Sequence, residues 1–331
     1  MENLSAGQKL DNAFTKLSEA RSVSFELDLD TDAATLKALD AESSEPGEEI
    51  PDEMAELLSD ATISFSVHSK KPIDKSDEKD FTAMAMKFSG ADGDLVEYRV
   101  IGDHVYVRVD AEALGKMSGS PMPSADELPD SAGAFKKFLA GEWLKFSTKE
   151  LEKTSKEMSG AEGIGGEEPS AEPSLDAKTQ KKLTKALRQV IAQQVDFTTS
   201  GGSDGTEHIK ATAPFRTLMT ELFDELRPLQ KDLPMGAELP TAKDFKDAPN
   251  KKVTADFTLK NGELTEVSVD LAKLAEKAKV KKLALVLRIG KAEKTTAPAG
   301  ATEVRVDEIL GGFLGGAGGP FGDEGFEEGE F

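Results

Sequence analysis

The chain has 331 residues, 62 Asp plus Glu against 41 Lys plus Arg, a net charge of −21 and no Cys. That balance opposes phosphate-backbone binding as a main role, and the absent thiol removes disulfides, Cys-ligated zinc, iron–sulfur clusters and a thiol nucleophile. A hydrophobic fraction of 38% supports a folded core, while three His, one Trp and two Tyr leave little for imidazole chemistry or stacking platforms.

Ser5 is placed to cap a helix whose Leu10, Ala13, Phe14, Leu17 and Ala20 recur at helical spacing. The period then changes. Val23, Phe25, Leu27 and Leu29 alternate with Ser24, Glu26, Asp28 and Asp30, which predicts a strand with one buried and one wet face, and Ala61, Ile63, Phe65 and Val67 repeat the pattern. Between them, residues 40–60 carry a run of acids with Pro46 and Pro51, and read as a solvated insertion with a short helix at 52–58. Asp28-Leu29-Asp30-Thr31-Asp32 opens like a calcium loop, but Ala33 and Leu39 stand where that loop needs Gly and Glu.

A strand is expected at 81–88, where Met84 and Met86 stand beside Phe81 and Phe88. In 96–109, a two-residue Gly102-Asp103 turn sets Val100 opposite Val105, Tyr98 opposite Val107 and Val96 opposite Val109, so the apolar faces agree. A strand at 142–147 holds Trp143, read as core or rim packing. Residues 160–174 read as a Gly/Glu-rich linker. A helix at 176–194 aligns Leu183, Leu187, Val190 and Ile191; a second at 214–229 aligns Leu218, Leu222, Phe223 and Leu226.

Strands at 195–199 and 207–213 flank Gly201-Gly202-Ser203-Asp204-Gly205, which spells G-x-S-x-G. A nucleophile elbow needs a helix after the serine, and here an alternating strand follows, so the segment reads as a hairpin loop. For 253–269, a two-residue Asn261-Gly262 turn would set Val267 against Asp256. A three-residue loop with Gly262 left-handed aligns Phe257 with Thr265, Ala255 with Val267 and Val253 with Val269, and is the expected form. Strands at 283–289 and 302–307 precede a Gly-rich acidic tail at 311–331, expected to be disordered. The pattern predicts about eleven strands.

His68, His104 and His208 lie at strand edges with no second imidazole at ligand spacing, so no catalytic residue, metal or cofactor is expected. The helix stripes read most simply as core. The sharper reading is an apolar cavity between sheet and helices, lined by Phe25, Phe65, Met84, Met86, Leu187, Ile191, Leu218, Leu222 and Phe257.

The order of an N-terminal helix, paired strands, Gly102-Asp103-His104-Val105-Tyr106-Val107-Arg108, a helical stretch and Gly141-Glu142-Trp143-Leu144-Lys145-Phe146 resembles the LolA-like superfamily of envelope lipoproteins, especially the LppX/LprG type of actinobacteria. The hairpin at 255–269 and Thr296-Ala297-Pro298-Ala299-Gly300-Ala301 are similar too, and the likeness spans residues 8–310. It implies an α+β fold: a single antiparallel half-barrel sheet of about eleven strands, with helices covering the concave face and an apolar cavity for lipid. The resemblance also implies a secreted protein anchored to the cell membrane through an acylated Cys upstream, with Met1 standing in place of that segment. The acidic stretch at 40–60, the 160–174 linker and the 311–331 tail depart from the family.

The expected function is therefore that of a non-enzymatic, extracytoplasmic lipoprotein domain. It would bind a lipid or acyl chain for envelope carriage or sensing, with a protein partner reached through the acidic tail and no nucleic-acid partner. With a net charge of −21, flat docking on an anionic membrane is unfavourable without the anchor. The alternative is an envelope signalling or protein-interaction module with a filled core.

Overall fold

The computed structural model describes residues 5–43, 49–117, 122–129, 132–159, 190–202, 204–232, 239–246, 248–275, 278, 280 and 282–306. In chain order these form α1 (Ala6–Glu19), β1 (Ser22–Asp30), α2 (Ala33–Ser43), α3 (Asp52–Asp60), β2 (Thr62–Ser69), β3 (Phe81–Gly90), β4 (Gly93–Ile101) and β5 (His104–Val109). Then come α4 (Ala111–Met117), α5 (Gly133–Leu139), β6 (Leu144–Ser147), α6 (Thr148–Ser159), β7 (Asp196–Gly201), β8 (Thr206–Pro214), α7 (Phe215–Leu226), β9 (Lys252–Lys260), β10 (Glu263–Asp270), β11 (Ala284–Gly290) and β12 (Thr302–Glu303). The class is α+β, with strands antiparallel in every described pairing except β12 with β6.

The chain divides into two compact units. One takes in Met1–Thr62, Lys71–Ser76 and Glu167–Lys291, and its strands run in the order β1-β11-β10-β9-β8-β7. The other takes in Ile63–Lys70, Asp77–Gly166 and Ala292–Phe331, in the order β12-β6-β5-β4-β3-β2.

Local chemistry sets the element ends. Gln8 N donates to Ser5 Oγ at 3.3 Å and Ser5 N donates to Gln8 Oε1 at 2.9 Å, a reciprocal cap that starts α1 where the sequence placed it. Helix α2 was not foreseen. It begins where Asp32 Oδ1 accepts from Thr35 N at 2.7 Å, so the last acid of the calcium-like spelling caps a helix. Helix α3 holds residues 52–60 of the acidic stretch against β1 and buries Ala55 completely.

The β4–β5 hairpin has the expected register, with Val100 opposite Val105, Tyr98 opposite Val107 and Val96 opposite Val109. The β9–β10 hairpin does not. Lys260 pairs with Glu263 across a two-residue Asn261-Gly262 turn, whose φ values of 54° and 74° are those of a type I′ turn. The face mismatch of such a turn is repaired further along: the register slips between Leu264 and Glu266, so Val267 pairs with Phe257 and Val269 with Ala255. The irregularity expected inside the loop thus lies two residues into the strand.

Candidate functional site

In the first unit, strand alternation gathers the apolar residues on one face, and the ladder aligns them in rows. One row runs Leu27, Leu287, Val267, Phe257, Ile209; the next runs Leu29, Leu285, Val269, Ala255, Ala211, Phe197. Helix α1 packs on this face near the start of β10, with Leu10 and Ala13 buried and the Phe14 ring edge-on to Phe257 at 6.4 Å. Val23, Leu259, Leu264 and Ile289 are buried at that end, and Ile209 is fully buried in its row.

The row of Leu29 and Leu285 behaves differently. None of its members is buried; Leu285 keeps 38% of its surface exposed, and Ala211 and Ala255 place two small side chains side by side in its middle. Helix α1 thus covers one end of the face, and among the described residues the row of Leu29 and Leu285 is only partly covered, while Ala213 beyond it on the same face is buried. The reverse side of the face is polar apart from the buried Val286: Arg288 pairs with Glu26, Asp28 and Glu266, and His208 Nδ1 lies 3.2 Å from Asp256 Oδ1.

At the covered end a pocket of about 420 Å³ opens beside α1. Ala13, Leu17, Val23, Leu264 and Ile289 supply its apolar walls, and Lys16, Arg21, Glu263 and Lys291 are its charged lining. A second pocket of about 450 Å³, lined by Lys9, Asn12, Thr15, Glu207, Leu259 and Asn261 among others, lies on the other flank of α1 and is crossed by the Lys9–Glu207 ion pair.

The second unit has a buried apolar cluster. Val105, Ala134, Leu144, Phe146 and Val304 are buried together, and Tyr98, Val100, Val107 and Phe138 pack against them. On the opposite face of β4 and β5, Glu97 accepts from Arg99 Nε at 2.9 Å and Arg108 Nη2 at 3.2 Å, and both guanidinium groups stack on Trp143 at 4.7 and 5.3 Å from the ring centre. Trp143 is therefore rim packing held by cations.

Of the nine residues proposed from sequence to line a cavity, Leu187 lies outside the described residues. Phe25 and Phe257 share the apolar face of the first unit, both half-buried. Leu218 and Leu222 are half-buried on α7, and Ile191 is 42% exposed. Phe65, Met84 and Met86 fall in the second unit, half-buried except Met86. None of the eight lines either pocket.

Sequence reasoning did not single out Leu285, Arg21 or Lys291. The antiparallel partnership of β1 and β11, which sets Ser24 opposite Gly290, brings residues 21 and 291 to the same end of the ladder across 270 positions of chain. Only the alternation in 283–289 hinted at the first, and nothing local signalled the other two.

The Gly201–Gly205 segment is a hairpin turn between β7 and β8, with Gly202 N donating to Thr206 O at 2.8 Å and Asp204 and Gly205 at positive φ. A strand follows it, as expected; Ser203 lies outside the described residues. His68 Nε2 contacts the Glu293 carbonyl oxygen at 2.8 Å. Among the described residues, no three His, Asp or Glu are grouped to hold a metal, and no helix is long and apolar enough to cross a membrane.

No protein-family profile matches the chain, and no curated protein matches it in sequence. Solved structures that resemble it in fold include two mycobacterial proteins. The lipoprotein LppX of Mycobacterium tuberculosis is 12% identical with a TM-score of 0.30, the overlap covering 88% of this chain and 97% of that one. LprF from Mycobacterium bovis is 10% identical with a TM-score of 0.34, over 90% and 97%.

Proposed function

We propose that this chain is a non-enzymatic lipid-binding domain of the cell envelope, extracytoplasmic and tethered by an upstream lipid anchor, that holds a lipid or acyl chain for carriage or sensing. The observation that carries the reading is the part-covered apolar face of the first unit: α1 covers one end, while the row from Leu29 through Leu285 to Phe197 has no buried member. A part-covered apolar row of this kind offers a surface along which an apolar ligand can be desolvated. An acyl chain laid along it gains about 0.8 kcal/mol per methylene removed from water. The tether and envelope location rest on the sequence resemblance; a protein partner for the acidic tail rests on that tail's own composition, in which the chain departs from the family.

The test is saturable uptake of a fluorescent fatty acid by the full chain, repeated with Leu285→Glu. Uptake by the wild type and its loss in the variant, at an unchanged unfolding midpoint, is the expected result. Absence of uptake by the wild type contradicts the reading.

A further inference from the structure

We infer that the pocket beside α1 holds the anionic head of an acyl amphiphile. This deepens the lipid-binding reading and rests on it. The pocket is half open to solvent, and its floor is formed by the buried Ala13, Val23, Leu264 and Ile289. The rim is cationic: Lys16, Arg21 and Lys291 face a single acid, Glu263, in a chain whose net charge is −21. Local charge opposite to that of the whole molecule is not what solubility alone produces.

Two of these cations are also unspent. Neither Arg21 nor Lys291 has a hydrogen-bonding or ion-paired side-chain partner among the described residues, and Lys16 reaches only the Asn261 carbonyl oxygen at 3.5 Å. Elsewhere in the unit some cations are engaged, Lys9 with Glu207, Lys282 with Asp30 and Arg288 with three carboxylates, while others such as Lys243 and Lys260 have no side-chain partner among the described residues. Carboxylate and phosphate heads both suit a guanidinium and an ammonium placed above a greasy floor. The volume of about 420 Å³ lies within the range of small-ligand sites.

The tail would follow strand β11, past the half-buried Leu287. Ile289 in the pocket and Leu285 in the open row are four residues apart on β11 and share a face, a span of about 13 Å. Head and tail would thus lie along one strand pair, with charge at the α1 end and hydrocarbon at the open end.

The test compares palmitate with hexadecanol, the same chain with an uncharged head, on the full protein and on the double variant Arg21→Gln, Lys291→Gln. Both positions are exposed, so the variant is expected to keep the wild-type unfolding midpoint. Palmitate affinity should fall about tenfold or more in the variant, as befits loss of charge-assisted hydrogen bonds, and hexadecanol affinity should not change. Equal palmitate affinity in wild type and variant overturns the inference and leaves the lipid-binding reading standing. Displacement of palmitate by acetate or inorganic phosphate at similar concentration also overturns it, since the site would then take an ion alone. Failure of both palmitate and hexadecanol to bind the wild type overturns the lipid-binding reading itself.

Discussion

Leu29 on β1 and Leu285 on β11 stand opposite each other in the ladder at the end of the apolar face that α1 leaves uncovered, and Leu285 keeps 38% of its surface in contact with solvent. Further along the same face Ile209, in the next row, and Ile289, two rows along β11, are buried. That gradient along one face predicts that residues of the same chemistry will answer differently to truncation.

Ile209, fully buried between Thr199 and Phe257, is expected to lose about 2–5 kcal/mol of stability as Ile209→Ala, because its removal leaves a cavity under α1. Leu285→Ala should lose less than about 1 kcal/mol, since most surface substitutions do little. Urea denaturation of the two variants measures the contrast, and equal losses would mean that the row of Leu285 is as tightly packed as that of Ile209.

The start of α1 depends on the reciprocal Ser5–Gln8 cap. Ser5→Ala should destabilise the first unit by about 0.5–2 kcal/mol, with amide exchange accelerating first in 6–10. Unchanged exchange there would show that packing of Leu10 and Ala13 alone fixes the helix end.

The Asn261-Gly262 turn needs two consecutive residues at positive φ. Gly262→Ala forces a side chain into that region and is expected to lose about 1 kcal/mol or more, whereas Asn261→Gly should be close to neutral. Thermal unfolding of the pair separates the turn's backbone demand from any role of the Asn side chain.

Asp94 carries a pH dependence. Burial raises the pKa of its carboxyl group, but hydrogen bonds from Ser89 and Lys87 and the charges of Lys87 and Arg108 outweigh that effect and hold it below the ordinary aspartate value. A depressed carboxylate stabilises the fold above its unfolded-state pKa, and the contribution disappears as pH falls through the native value. Urea midpoints followed from about pH 5 downward should therefore fall less steeply for Asp94→Asn than for the wild type. Parallel curves would contradict the assignment.

Much of the fold was legible because its signals are local. The Ser5 cap, the strict alternation in 23–29 and the face agreement across Gly102-Asp103 each fix a conformation within a few residues, and all three are found in the structure. The β9–β10 hairpin shows the limit. The conflict between turn type and face was visible in the sequence, but a bulge can resolve it at several positions, and the preference of Asn-Gly for type I′ geometry placed the bulge at 264–266. Helix α2 was hidden because an acid after an alternating strand extends the wet-face pattern equally well as it caps a helix.

The site was less legible. Alternation alone puts Phe25 and Phe257 on the apolar face, though neither lines either pocket, whereas the cationic lining depends on β1 meeting β11 and on α1 packing at β10, neither of which leaves a mark in local sequence.

The most direct test of the central claim is native mass spectrometry of the purified chain, followed by organic extraction and lipid analysis of whatever accompanies it. A lipid bound at one per chain, recovered in the extract, is the predicted result. A ligand-free protein that also fails to take up added fatty acid would contradict lipid binding and leave the apolar face as a surface for another protein.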